Sequence, residues 1–328
     1  MTDHKLKIAI LGKINDLGVR HLAGDGRFEI VERPDNADDR LAVTADVDGI
    51  IVRMTSIDPE LVAQAPRLKI VARHGVGYDT VNVPALTDRG IPLALVGDVN
   101  SGAVAEQTLA LMLALAKRIQ SLDQAVRQGR FGERDRFAAT ELHGRTCLVL
   151  GFGRIGRKVA ALCQAFAMKV LVYDPFVESQ AITDMGYVAV EDWKKSLGNV
   201  DVVTVHAPKS DGTENLLGAP ELQAMKAGSW IINVARGGLV DESALFNALQ
   251  SGHLGGAGLD VFATEPPTRD NPLFGCDNVV LSPHSAAFTQ ECSARMAMAC
   301  ANNIIDFFSD CLDPALVVNP ETLQRGKD

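Results

Sequence analysis

Three side chains whose types could act together on a small acid lie in the second half of the sequence. Arg236 stands in Asn233-Val-Ala-Arg-Gly-Gly238, Glu265 precedes two prolines, and His284 follows Pro283. An arginine binds a carboxylate through paired hydrogen bonds and polarises the neighbouring carbonyl. A histidine moves a hydroxyl proton, and a glutamate beside it stabilises its protonated form. Together they suit redox chemistry on a 2-hydroxy acid, although each alone could simply cap a turn or lie in a solvated loop.

A glycine motif upstream supplies a second candidate site. The segment Gly151-Phe-Gly153-Arg-Ile-Gly156 follows a strand-like run and opens a helical pattern. Gly151 would make the tight turn, Gly153 would let the backbone approach a pyrophosphate, and Gly156 would let helix and strand pack closely. Asp174 ends the next strand-like run, where a carboxylate would accept hydrogen bonds from ribose hydroxyls. The motif predicts a dinucleotide site, although a glycine-rich turn without a ligand would look the same locally.

The elements that must position these residues are strand-like runs alternating with helical patterns. The runs in the first hundred residues are 7–11, 28–32, 49–53, 68–73 and 91–96. After a long apolar helical pattern at 101–118, the runs are 146–150, 170–174, 201–206, 230–233, 257–261 and 278–281. Their β-branched and aliphatic residues scarcely alternate with polar ones, as expected for strands covered on both faces. The pattern predicts parallel α/β sheets, whose carboxyl edges bind ligands.

Composition and charge narrow the class of protein. The 328 residues correspond to about two domains, and 47% hydrophobic with 22% charged residues is typical of a globular chain. The net charge of −9 argues against a general nucleic-acid or anionic-membrane surface. No apolar stretch approaches the roughly 20 residues of a membrane span, and the amino terminus lacks a signal-peptide core. The six cysteines show no metal-type spacing, so we expect reduced thiols, no metal and a cytoplasmic protein.

Beyond these motifs, the chain resembles the D-isomer-specific 2-hydroxyacid dehydrogenases, and phosphoglycerate-dehydrogenase-like members most of all. The matching segments, in order, are His74-Gly-Val-Gly-Tyr-Asp79, 100–118, 151–156, Tyr173-Asp174-Pro175, His206-Ala-Pro208, 233–238, Gly258-Leu-Asp-Val-Phe262, Glu265-Pro266 and Pro283-His284. The resemblance implies that Arg236, Glu265 and His284 are catalytic and that NAD is the cofactor. It implies cofactor contacts from Gly151, Gly153, Arg154, Ile155, Gly156, Asp174, His206, Pro208, Val234, Ala235 and Asp260, with Thr108 at the nicotinamide side.

The same resemblance implies a set of substrate-binding residues. Val76 and Gly77 match the loop that holds the substrate carboxylate through backbone N–H groups, beside Arg236. Arg53 and Asn100 match positions that reach a second anionic or polar group of the substrate in phosphoglycerate-dehydrogenase-like relatives. Arg53 could instead close a strand end in an exposed salt bridge.

The family fold implies a Rossmann-type cofactor domain inserted into a flavodoxin-like α/β substrate domain, with a cleft between them. Residues 1–100 and 289–328 would form the substrate domain, and residues 101–288 the cofactor domain. The long helix at 101–118 and the arm that follows would lie at the interface of a homodimer. The chain has no room for the extra C-terminal regulatory domain of some phosphoglycerate dehydrogenases, so feedback control by that route is not expected.

The expected function is NAD-dependent interconversion of a D-2-hydroxy acid and its 2-oxo acid by hydride transfer. The substrate would be 3-phosphoglycerate or another 2-hydroxy acid with a second anionic group. One alternative is a reductase of hydroxypyruvate or glyoxylate. An alternative of another class is a dinucleotide-sensing binding protein, like the co-repressors that share this fold. Glu265 argues against a formate-dehydrogenase-like enzyme, which would pair a glutamine with the histidine.

Overall fold

The computed structural model describes residues 5–33, 40–135 and 139–324. The chain divides into two compact units, each built around a parallel sheet. The first unit comprises Met1–Asn100 and Phe288–Asp328, and the second comprises Ser101–Ala287. Two parallel sheets with helices confirm the predicted α/β class. The assignment of one unit to substrate and the other to cofactor stays a prediction.

The first unit begins with alternating strands and helices. In chain order they are β1 (Leu6–Leu11), α1 (Asp16–Gly24), β2 (Phe28–Arg33), α2 (Arg40–Thr44), β3 (Gly49–Val52), α3 (Pro59–Gln64), β4 (Ile70–Arg73), α4 (Val83–Asp88) and β5 (Leu93–Ala94). The strand order is β2-β1-β3-β4-β5, and every pairing is parallel. Because β1 lies between β2 and β3, the order reverses there, as in flavodoxin-like sheets. All of β3 is buried, as its apolar sequence predicts.

The fifth strand is shorter than the predicted run 91–96. Only Leu93–Ala94 pairs with β4, because a distant part of the chain takes the remaining backbone groups. Leu95 N–H donates to Leu316 O at 2.8 Å, and Val318 N–H donates to Leu93 O at 2.9 Å. The C-terminal segment therefore covers the open edge of this sheet, which protects it from pairing with other chains.

The second unit contains the longer sheet. Its elements are α5 (Ser101–Lys117), α6 (Ile119–Arg127), β6 (Thr146–Leu150), α7 (Arg154–Ala165), β7 (Lys169–Tyr173), α8 (Ser179–Asp184), β8 (Val188–Ala189), β9 (Val202–Val205), α9 (Ala219–Ala224), β10 (Trp230–Asn233), α10 (Glu242–Gln250), β11 (Gly256–Leu259) and β12 (Val279–Leu281). The strand order is β12-β11-β10-β9-β6-β7-β8, all parallel. The order reverses at β6, which pairs with both β7 and β9. This is the doubly wound arrangement of Rossmann-type folds.

Helix α5 is apolar because it packs directly on this sheet. A Cβ at Gly258 in β11 would lie 2.8 Å from the Cβ of Leu111, so only glycine allows so close an approach. The helix ends at Lys117, one residue before the predicted end, because Arg118 adopts a left-handed φ of +52°. That turn starts α6 in a new direction.

The final helix belongs to the first unit. Helix α11 (Gln290–Phe307) is capped by Thr289, whose hydroxyl accepts from Cys292 N–H at 3.1 Å. It packs on α1, where a Cβ at Gly18 would lie 2.5 Å from Ala297 O. Among the helices described here, including α11, none is long and apolar enough to cross a bilayer.

Candidate active site

The three predicted catalytic side chains follow the carboxyl ends of neighbouring strands. Arg236 follows β10, Glu265 follows β11 and His284 follows β12. The structure brings Glu265 and His284 into contact, with Glu265 Oε2 2.6 Å from His284 Nδ1. Glu265 Oε1 accepts from Phe262 N–H at 3.0 Å. The carboxylate is therefore fixed on one side while it holds the imidazole on the other.

The environment keeps the Glu265 carboxyl ionised. Burial alone would raise the pKa of Glu265, but hydrogen bonds from His284 and from Phe262 N–H lower it below its usual range. The positive charges of His284 and Arg236 lower this pKa further, which places the arginine close to the pair. An ionised glutamate can balance the charge that the imidazole gains when it takes up a proton.

The loop carrying His284 is held by a buried carboxylate. Asp260 is 0% exposed, and its side chain accepts from Ser285 N–H and Ala286 N–H, each at 2.9 Å. Its backbone oxygen accepts from His284 N–H at 2.7 Å. These bonds keep His284 at a φ of +49°, a left-handed conformation that non-glycine residues seldom adopt. Such backbone strain often accompanies functional positions.

Two further residues reach Asp260, and sequence reasoning gave them no role in the site. Ser282 Oγ donates to Asp260 Oδ1 at 2.5 Å. Gln107 Nε2, on α5, donates to Ser282 Oγ at 3.0 Å. A polar glutamine within a helix that is otherwise mostly apolar was the one signal that could have suggested this contact.

The glycine turn after β6 has the shape that a dinucleotide requires. Gly151 has a φ of +97°, and a Cβ there would lie 2.8 Å from His206 O. A Cβ at Gly156 would lie 2.0 Å from Gly151 O, so only glycine permits this helix–strand packing. Gly153 caps α7 without a side chain, and a Cβ there would meet nothing within 4 Å. The first N–H groups of α7 therefore face open space, where a helix N-terminus binds phosphate.

Two residues beside this turn complete the predicted cofactor site. Asp174 Oδ2 accepts from Phe152 N–H at 2.7 Å, which ties the carboxylate to the glycine turn. Burial lowers the pKa of His206 to about 3, so its ring is neutral. His206 Nε2 contacts Thr204 Oγ1 at 2.9 Å, whereas its buried Nδ1 has no hydrogen-bond partner in the described part of the chain. A bound ligand could supply that partner, so the residues present fit a dinucleotide.

The other predicted cofactor residues differ in how accessible they are. Arg154 and Pro208 are exposed, Ile155 and Ala235 are half-buried, and Val234 is buried. Thr108 is buried within α5, and its hydroxyl donates to Val104 O at 2.8 Å. Because Thr108 and Asp260 already bond to protein groups, their contact with the cofactor stays a prediction.

The predicted substrate residues lie in the first unit, at the carboxyl ends of its strands. Arg53 follows β3, and its Nη1 donates to Lys13 O at 3.1 Å. Val76 and Gly77 form a half-buried loop after β4, and Asn100 lies half-buried before α5. Their contact with the substrate stays a prediction.

The substrate loop itself is held by an arginine whose role the sequence left open. Arg73 Nε donates to Gly77 O at 2.8 Å, and its Nη1 donates to His74 O at 3.1 Å. Arg73 therefore fixes the backbone of this loop. Across residues 5–33, 40–135 and 139–324, no group of three or more His, Cys, Asp or Glu side chains could hold a metal ion.

Comparison with known proteins establishes the family. The family model described as D-isomer specific 2-hydroxyacid dehydrogenase, NAD binding domain, matches residues 109–286. The chain therefore belongs to the D-isomer-specific 2-hydroxyacid dehydrogenase family. This confirms the predicted resemblance and, with the geometry of the glycine turn, NAD as the cofactor.

Individual relatives carry several names. The D-3-phosphoglycerate dehydrogenase of Archaeoglobus fulgidus is 37% identical over 302 residues, which is 92% of this chain and 57% of that protein. The chain thus spans about half the length of the curated relatives it matches.

Two solved structures are similar over almost their whole length. The NADPH-dependent glyoxylate/hydroxypyruvate reductase from Sinorhizobium meliloti, in complex with NADP and malonate, is 32% identical with a TM-score of 0.83, covering 93% of this chain and 94% of that one. The D-lactate dehydrogenase from Aquifex aeolicus, complexed with NAD and lactic acid, is 28% identical with a TM-score of 0.85, covering 95% and 99%.

Proposed function

We propose that this protein is an NAD-dependent dehydrogenase that interconverts a D-2-hydroxy acid and its 2-oxo acid. The observation that carries the proposal is the 2.6 Å contact between His284 and Glu265, beside Arg236. This group follows strands of the same parallel sheet whose β6 end carries the open glycine turn. An acid–base pair, a carboxylate-binding arginine and a dinucleotide cradle on one sheet edge are what this reaction needs.

The hydrogen bond to Glu265 assigns the proton-transfer atom of His284. Since the ionised Glu265 accepts at Nδ1, that nitrogen carries a hydrogen and Nε2 is left to exchange a proton with the substrate. In oxidation the neutral imidazole takes the hydroxyl proton at Nε2, and in reduction the imidazolium returns it. Arg236 binds the substrate carboxylate and polarises the adjacent carbonyl. Bound NAD supplies hydride acceptance, and NADH supplies hydride donation.

The proposal also covers the cofactor and substrate contacts. The second unit would be the cofactor domain, with the open α7 N-terminus at the pyrophosphate and Asp174 at the adenosine ribose. The first unit would be the substrate domain, with Val76 and Gly77 at the carboxylate and Arg53 and Asn100 at a second polar group. A substrate with a second anion, such as 3-phosphoglycerate, is the main candidate. The S. meliloti reductase, similar over 94% of its length, favours hydroxypyruvate or glyoxylate as the second candidate.

A spectrophotometric panel tests the proposed function. NADH oxidation is followed at 340 nm with hydroxypyruvate, glyoxylate, pyruvate, phosphohydroxypyruvate and sulfopyruvate, using His284→Ala as the matched control for contaminating activity. We expect turnover of at least one 2-oxo acid by the wild-type protein and its loss in the variant. Tight NADH binding without turnover of any acid would instead favour a dinucleotide-sensing binding protein.

We further propose a cytoplasmic homodimer that binds neither nucleic acid nor membrane. Support comes from the net charge of −9 and from apolar side chains left exposed on α6 and just beyond it. Ile119, Val126 and Phe131 are 52%, 60% and 67% exposed. Apolar surface of this kind often marks an interface between proteins. Light scattering after size exclusion should give twice the chain mass, and a monomer would contradict the dimer.

A further inference from the structure

A cavity of about 510 Å³ lies at the carboxyl edge of the first sheet, within the first unit. Its walls come from the loop after β1, the first turns of α1, the ends of β3 and β4, and the start of α11. The sheet reverses its strand order between β1 and β3. Ligands of open α/β sheets bind in the crevice at such a reversal. Position alone therefore marks this cavity as a binding site.

The cavity is positively charged although the chain as a whole is negative. Lys13, Arg20 and Arg53 line it, against one carboxylate, Asp16. Arg20 Nε donates to the backbone oxygen of Asp16 at 3.3 Å rather than to its carboxylate. The described lining thus carries an excess of two positive charges in a chain of net charge −9. A concave surface of one sign attracts ligands of the opposite sign.

One of these cations is held in place. The Arg53 guanidinium lies 4.5 Å from the centre of the Phe288 ring, and its Nη1 donates to Lys13 O at 3.1 Å. A planar guanidinium fixed on an aromatic face loses little further freedom when it binds an oxyanion. Lys13 and Arg20 are exposed and can approach the same ligand.

A buried histidine in the cavity wall points to a missing ligand. His74 is 4% exposed, yet neither ring nitrogen makes a hydrogen bond of normal geometry with the residues described. Burial, with the charges of Arg73 and Arg53, lowers the pKa of His74 to about 4. The ring is therefore neutral and carries one N–H donor. Buried polar groups without partners are rare because they cost free energy, and an acceptor oxygen in the cavity would satisfy this one.

We propose that this cavity binds an anionic group of the phosphate, sulfonate or carboxylate class. Lys13 and Arg20 join Arg53 in holding it, and His74 donates a hydrogen bond from the floor. The N-terminus of α1 contributes little, because Asn15 Oδ1 already accepts from Leu17 N–H at 3.0 Å. The group could be the second anion of the enzyme's own substrate, an arm that rests on the proposed function, or a free small anion.

The test uses Lys13→Ala and Arg20→Ala, with Lys5→Ala as the matched control. All three side chains are exposed, so their truncation should leave the fold intact, and Lys5 does not line the cavity. The first measurement compares kcat/KM for phosphohydroxypyruvate and glyoxylate. If the substrate supplies the anion, the ratio of the two should fall about tenfold in each cavity variant, the usual worth of a charged hydrogen bond. The ratio should not change in Lys5→Ala.

The second measurement is the rise in Tm that inorganic phosphate or sulfate produces. If the ligand is a free anion, either salt should raise the Tm of the wild type, and the rise should shrink in both cavity variants but not in Lys5→Ala. Equal ratios in all proteins, together with equal rises in Tm, would overturn the proposal. The proposed dehydrogenase function would survive that result if glyoxylate is still turned over. Conversely, a protein inactive on every 2-oxo acid still tests the cavity through its Tm.

Discussion

The two sheets reverse their strand order in similar ways, but the loops at the two reversals leave different groups open. Both loops start with a glycine of left-handed φ, Gly12 at +99° and Gly151 at +97°. In the second unit the cap of α7 is Gly153, which has no side chain to occupy the helix N–H groups. In the first unit the cap of α1 is Asn15, whose side chain accepts from Leu17 N–H.

One cap residue therefore separates a phosphate-binding helix from a closed one. An asparagine satisfies the first donors of its helix, whereas a glycine leaves them for a ligand. The first turn of α1 also carries Asp16, whose charge would repel an anion, whereas the first turn of α7 has no acidic residue. The second sheet can thus hold a dinucleotide through backbone groups, and the first must hold its ligand through charged side chains.

The largest expected effect separates chemistry from cofactor binding. His284→Ala should lower kcat by about 10²–10⁴-fold, because it removes the group that exchanges the substrate proton. NADH should still bind, since the glycine turn after β6 does not involve this side chain. Steady-state kinetics and a fluorescence titration with NADH measure the two effects. A kcat/KM close to that of the wild type would refute the catalytic role.

A swap of cap residues tests the comparison directly. Gly153→Asn should weaken NADH binding about a hundredfold, roughly 2.7 kcal/mol, because its side chain would take the α7 donors and fill the phosphate space. Stability should not fall, since Gly153 has an extended φ of −73° that any residue adopts and a Cβ there has room. Titration with NADH and thermal melting give both values.

The reciprocal variant is the control for that swap. Asn15→Gly should cost only a few tenths of a kcal/mol of stability and leave NADH affinity unchanged. Unchanged affinity in Gly153→Asn would show that the cofactor does not use the open helix end.

Each unit also buries a histidine with a lowered pKa, and stability should report this. The pKa of His74 is about 4 and that of His206 about 3, both lowered chiefly by burial. Below pH 6.5 the unfolded chain takes up protons at these rings while the folded chain does not, so the free energy of unfolding falls with pH. Each ring should cost up to about 2 kcal/mol between pH 7 and pH 5.

Urea denaturation at the two pH values measures this loss. His74→Gln should reduce the difference between pH 7 and pH 5 by the share of that one ring. The same difference in variant and wild type would mean that His74 takes up its proton in the folded protein, against the burial seen here.

The smallest expected effect concerns the choice of cofactor. Asp174 would face the 2′-phosphate of NADP, and no lysine or arginine occurs from 170 to 193 to offset the repulsion, except the exposed ends of flanking elements. We expect kcat/KM with NADH to exceed that with NADPH by at least about tenfold, or roughly 1.4 kcal/mol. Asp174→Ala should narrow the ratio. Equal use of both cofactors would show that this carboxylate does not select between them.

The sequence predicts strands best where both faces are buried. The bounds of β6 and β10 match the predicted runs 146–150 and 230–233, because β-branched and aliphatic residues continue through both. Strand β8 has two residues at a sheet edge and leaves no such pattern. Strand β5 is shortened by a segment more than two hundred residues away, which no local pattern contains.

The site divides in the same way. Arg236, Glu265 and His284 each follow a recognisable strand, so the shared edge of a parallel sheet predicts their proximity. The bonds that position them do not follow from local sequence. Gln107 and Ser282 are 175 residues apart along the chain, and only the packing of α5 on the sheet brings them together.

The order of the elements along the chain has a consequence for synthesis on the ribosome. Helix α11 covers α1 in the first unit but is translated only after the whole second unit. At about 5–20 residues per second, the intervening segment takes roughly 10–40 s to make. During that time the second unit has all its strands and can fold, while the face of α1 around Gly18 and Leu22 has no partner. We therefore expect the nascent first unit, rather than the second, to be the part that chaperones protect.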